Sequence, residues 1–121
     1  MTKPDVLDRL EDISAAIERI GRYRAGKSFG DYQSNSMLRD AVERNIERIS
    51  EASRHLPDDL KSAHPEIPWR QIADIGNVLR HAYRTISDRT IWDTIDQHLA
   101  PLADVVRRCM AEWKQGGSTT R

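Results

Sequence analysis

Apolar side chains return at steps of three and four along nearly the whole chain. No stretch alternates with the period of two that a half-buried strand requires. Val6, Leu10, Ile13, Ile17 and Ile20 form one such stripe, and Leu38, Val42, Ile46 and Ile49, continued by Leu56, form a second. A third stripe runs through Ile72, Ile75, Gly76, Leu79, Ala82 and Tyr83, and a fourth through Val105, Cys109, Met110 and Trp113. Gly26 and Gly30 mark a connection around Lys27 to Phe29, and the three prolines of 57–68 mark another holding at most one helical turn. Asp58 and Asp59 suit the start of that turn better than a catalytic pair. Ser87, Asp88 and Thr90 supply cap chemistry for the segment led by Ile91 and Trp92. Pro101 predicts a break, giving a short helix over 91–99 and a last one from 101 to about 114. The pattern predicts an all-α fold, an antiparallel four- to five-helix bundle. It forms one domain over 1–115 with a disordered tail over 116–121.

At 121 residues the chain can bury a core without disulfide or metal support. Cys109, the single cysteine, falls in an apolar helical pattern and reads as core. The 19 basic and 19 acidic side chains cancel, which argues against indiscriminate nucleic-acid binding but leaves room for a local basic cleft. The charged opening MTKPDVLDRLEDIS is unlike a signal peptide, and no run approaches the roughly 18 apolar residues of a membrane span. A cytoplasmic protein with no membrane contact is expected.

The third stripe carries the chemistry. Opposite its apolar side, Arg70, Asp74, Asn77, His81 and Arg84 recur at steps of four, three, four and three, with Arg80 beside His81. An imidazole near its ordinary pKa can move a proton at neutral pH, and guanidinium groups can stabilise charge on a phosphoryl oxygen. These are tools for cutting RNA, whose own 2′-hydroxyl can serve as nucleophile. Spacing alone leaves a solvated helix face as the other reading. His55, His64 and His98 show no metal-ligand spacing, and no metal or cofactor is expected. Trp69, Trp92 and Trp113 fall on separate helices and read as core anchors.

The stretch Glu66 to Tyr83, EIPWRQIADIGNVLRHAY, resembles the signature region of the HepT-like proteins, minimal HEPN-domain ribonucleases. Their pattern there is PW-x2-I followed by R-N-x3-H-x-Y. Pro68, Trp69 and Ile72 match its opening, and Asn77, His81 and Tyr83 its core. Upstream, RNIERISEAS over 44–53 resembles a family run of the form I-G-E-A. Ile49, Glu51 and Ala52 match it, and Ser50 replaces its glycine. Downstream, Trp92 and the LAPL of 99–102 resemble a family tryptophan followed by a leucine–proline turn. One departure falls on the chemistry: the motif arginine, the family histidine's active-site partner, is Gly76 here.

The resemblance implies a bacterial toxin–antitoxin ribonuclease, a homodimer whose motif helices line a shared cleft and cut RNA without metal. It implies His81 as general acid/base, Asn77 as a positioning group, and Arg80 or Arg84 as the electrostatic partner. Tyr83 matches the tyrosine that a MntA-like nucleotidyltransferase antitoxin modifies with AMP; it also suits a core or dimer-interface position. The departure at Gly76 keeps a second reading open, a catalytically impaired HEPN-like dimer that serves as a scaffold for the nucleotidyltransferase. A helical oligomerisation domain with no nucleic-acid role is the third.

Overall fold

The computed structural model describes the backbone of residues 3–81 and 87–119, and side chains over 5–79 and 87–114. Among the described residues six helices follow one another: α1 Lys3–Arg24, α2 Phe29–Ser34, α3 Ser36–Arg54, α4 Asp58–Ser62, α5 Trp69–His81 and α6 Asp88–Thr119. The described residues contain no strand. Four helices are long and two are short, which is the all-α bundle the apolar periodicity requires.

The helices form for local reasons and stay for tertiary ones. Asn35 caps α3, its side chain accepting the Leu38 N–H at 3.1 Å, and the Ser87 hydroxyl caps α6 by accepting the Thr90 N–H at 3.0 Å. Leu10, Ile13, Ala16 and Ile20 bring the buried stripe of α1 against α3 and α6. Each large apolar side chain so buried contributes roughly 1.5–3 kcal/mol. Trp92 is the aromatic anchor predicted for it: Tyr32 and Phe29 pack on its ring at 5.1 and 6.1 Å, and the Arg24 guanidinium lies 4.1 Å from the ring centre. Trp69 and Trp113 pack half-buried on the same core. Cys109 is core as expected, and burial, followed by Glu112, pushes its thiol up.

Three details differ from the sequence expectation. The connection after Gly26, whose φ is +73°, contains the short helix α2. A capping box starts it: the Ser28 N–H donates to Asp31 and the Asp31 N–H to the Ser28 hydroxyl. Pro101 does not split the last helix; α6 runs through it without a break. The ring removes one intrahelical bond, but the buried stripe continues across it, with Ile91, Trp92 and Ile95 before and Leu102, Val105, Val106 and Cys109 after. Packing on both sides therefore outweighs the local cost. The backbone of α6 also continues to Thr119, into the segment that composition marks as a tail.

Candidate active site on α5

The segment 57–68 sets up the start of α5. The Trp69 indole N–H donates to the His64 carbonyl at 3.0 Å, while Cys109 Sγ on α6 lies 3.5 Å from His64 Nε2. The proline-rich connection is thus held against the bundle, and α5 leaves it directed back along α3.

The middle of α5 is joined to α3 by polar contacts. The Ser50 hydroxyl, fully buried, donates to the Ala73 carbonyl at 2.7 Å and accepts the Gly76 N–H at 3.2 Å. Arg54, one turn further along α3, donates to the same Ala73 carbonyl through Nε at 3.2 Å and Nη2 at 2.8 Å. Moving back along α3 from Arg54 to Ser50 moves forward on α5 from Ala73 to Gly76, so the two helices run antiparallel. Gly76 is buried in this seam.

The two departures from the resembled pattern, Ser50 and Gly76, are therefore in direct contact. Where the pattern pairs a glycine on the second helix with an arginine on the motif helix, this chain pairs a serine with a glycine. Each departure is visible in the sequence separately. The contact that links them, and Arg54 as its neighbour, emerge only in the fold.

Of the predicted polar line, the side chains of Arg70, Asp74 and Asn77 fall among the described residues. All three are exposed, and His81 stands one turn after Asn77, about 6 Å along the helix axis. The backbone of Arg80 and His81 is helical and completes α5; their side chains, and all of Tyr83 and Arg84, lie outside the described residues. The register thus places Asn77 and His81 on one face at the C-terminal end of α5.

On α3, Glu43 lies two turns before Ser50, on the face turned toward α5. Burial, followed by the neighbouring Asp40 and Asp88, pushes its carboxyl above the usual carboxylate range. Tyr32, wholly buried nearby, has its phenol pushed up by burial and then by Glu43, and its hydroxyl has no hydrogen-bond partner among the described residues. No sequence pattern marks this acidic cluster, because its members come from three helices.

The other side of α5 borders an apolar cleft of about 310 Å³ facing α6, with Ile46 and Ile49 of α3 at its edge. Ile72, Ile75 and Val78 line it from α5, and Ile95, Leu99 and Leu102 from α6. Val78 is 37% exposed. His55 instead bonds Glu51 at 3.0 Å, and His98 lines the apolar cleft. Among the described residues, no three His, Cys, Asp or Glu side chains come together as metal ligands, and no helix is long and apolar enough to cross a membrane.

A helical bundle presenting an Asn–x3–His line at the end of a helix anchored from one side has the architecture of a HEPN-type domain. The model of the family described as ribonuclease HepT-like matches residues 13–109, and the chain belongs to that family. A protein of Thermococcus cleftensis named "Probable ribonuclease HepT" is 40% identical over 95 residues, covering 78% of this chain and 86% of its own. A protein of Caldanaerobacter subterraneus subsp. tengcongensis named "Putative RNase" is 31% identical over 105 residues, covering 87% of this chain and 90% of its own. No solved structure matches the chain.

Proposed function

We propose that the protein is a metal-independent endoribonuclease, the toxin half of a toxin–antitoxin pair, with its active site at the C-terminal end of α5. The observation that carries the reading is the placement of Asn77 and His81 on one helix face in a chain of the HepT-like family. In the proposed reaction the RNA 2′-oxygen attacks the adjacent phosphorus and the bond to the 5′-oxygen breaks. The products are a 2′,3′-cyclic phosphate, open to hydrolysis to a 3′-phosphate, and a free 5′-hydroxyl. His81 moves the proton, as base toward the 2′-hydroxyl or as acid toward the leaving oxygen. Asn77 positions the phosphate or the imidazole, and Arg80 or Arg84 offsets the charge on the phosphoryl oxygens.

The chain acts as a homodimer in this reading. The apolar cleft bordering α5 supports it, because Val78 and its neighbours form a surface that a second copy can cover. A nucleotidyltransferase antitoxin neutralises the toxin by AMPylating Tyr83, two residues from His81. The added phosphate would repel RNA from the cleft.

The test is a cleavage assay on total RNA and on tRNA with chelator present and His81→Ala as control. Cleavage that persists with chelator and falls on the order of a hundredfold or more in the variant is expected. Equal cleavage by a folded His81→Ala protein would remove His81 from the mechanism.

Gly76 favours a second reading, a binding-competent dimer that scaffolds the nucleotidyltransferase without cutting RNA. Its buried position leaves no cation where the family pattern has one. Absence of cleavage by unmodified, folded protein that still binds the nucleotidyltransferase is the outcome this reading expects.

A further inference from the structure

The chain has no net charge, yet its arginines are not evenly spread. A groove of about 540 Å³ runs between α1 and α3, with Arg9, Arg19, Arg44 and Arg48 in its walls. Its acids are Asp12, Glu47 and Glu51. Glu51 is drawn toward the end of α3 by Arg54 at 3.5 Å and His55 at 3.0 Å, and Glu47 is paired with Arg44 at 3.6 Å. Among the described residues Arg48 makes a 3.4 Å contact to the Asn45 side chain and no ion pair. Among the described residues neither Arg9 nor Arg19 forms an ion pair, and the Arg9 Nε is buried without an acceptor. Three guanidinium groups thus face one groove with Asp12 as the remaining counter-charge.

Arg9 and Arg19 of α1 are half-buried and line the groove. From Arg9 to Arg19 the helix rises about 15 Å, long enough to meet more than one phosphate.

We infer that the α1–α3 groove is a binding track for the phosphate backbone of single-stranded RNA. This rests on the ribonuclease reading for its substrate, but it assigns binding to residues separate from the catalytic ones. Guanidinium forks suit phosphate oxygens, and contacts of this kind position a strand without reading its sequence.

The experiment measures binding and turnover separately. Binding of a 2′-O-methyl oligoribonucleotide, which cannot be cleaved by 2′-hydroxyl attack, is followed by fluorescence anisotropy over a salt series. Turnover of natural RNA is measured at saturation. Arg19→Ala/Arg48→Ala and the single exposed change Arg48→Glu are compared with Arg22→Ala/Arg107→Ala, which removes two exposed arginines outside the groove. The groove variants should bind on the order of tenfold more weakly and keep their saturated turnover. Their salt dependence should be shallower by about 0.7 for each phosphate no longer neutralised. The outside pair should change neither binding nor turnover. Unchanged binding in both groove variants overturns the inference, even if the natural protein cleaves RNA. Unchanged oligonucleotide binding with abolished nucleotidyltransferase binding overturns it in favour of a protein interface. Groove-dependent binding by a natural protein that cleaves nothing keeps the track and removes the ribonuclease reading.

Discussion

On the side of α5 that meets α3, three donors converge on one carbonyl, that of Ala73, and the Gly76 N–H answers the Ser50 hydroxyl. On the side toward α6 the same helix turns Ile72, Ile75 and Val78 to an apolar cleft of about 310 Å³. The first side is directional and filled. The second is non-directional and leaves apolar surface available. A helix held this way has its axis and register set within the subunit, while its other flank is left for something that covers apolar surface. In the HepT-like reading that partner is the second copy. The intramolecular seam then aims Asn77 and His81, and the cleft decides whether two such ends meet.

The strongest way to break the contrast is to crowd the seam. Gly76→Arg restores the family cation but forces a long side chain into a buried position against Ser50. It should cost about 3 kcal/mol in urea unfolding. Adding Ser50→Gly, which returns both positions to the family pattern, should recover part of that stability. The coupling between the two changes is expected to be about 1 kcal/mol. Independent, additive effects would show that their contact does not link the two departures. The double variant is also the fair background in which to ask whether the cation raises cleavage.

The open side is tested next. Val78→Asp places a charge on exposed apolar surface, so the subunit should keep its helical content and melting temperature. If the proposed homodimer forms through this cleft, it should dissociate at least tenfold more readily, a change of about 1.4 kcal/mol read by sedimentation equilibrium. An unaltered dimer constant would move the subunit interface elsewhere.

The same contrast separates what the sequence makes legible from what it hides. The long helices α1, α3 and α5 were legible because their stripes are long and regular, and the Asn77–His81 line because a helix face follows from spacing alone. Pro101 misled because a rule about one residue met a buried stripe that continues on both sides of it. The short helix α2 was hidden because its signal, Ser28 with Asp31, lies between two glycines that read as loop. The Ser50–Gly76 contact and the α1–α3 groove join residues 26 or more positions apart or on separate helices, and no local pattern encodes them. Ser50→Ala keeps the fold and removes only the hydroxyl. Because Arg54 still serves Ala73, its cost should be about 1 kcal/mol, and a much larger destabilisation would mean that Ser50 carries the seam alone.

The smallest expected effect concerns the acidic edge of the seam. Among the described residues Glu43 faces Asp40 and Glu47 on its own helix, Asp88 at the start of α6, the phenol of Tyr32 on α2, and the opposing charge of Arg39. Arg39 is itself shared with Asp88, at 3.9 Å. A carboxyl held above its ordinary range is ionised less readily folded than unfolded. Its protonated form therefore favours the fold, and that contribution fades as pH rises through the raised value. Glu43→Gln mimics the protonated form, so it should stabilise the protein slightly at pH 7. The gain should vanish below the ordinary carboxylate pKa of about 4.5, where Glu43 is protonated in both states. A gain that persists unchanged at low pH would trace to packing of the amide rather than to charge, and the acidic edge would then have no part in the pH response of the seam.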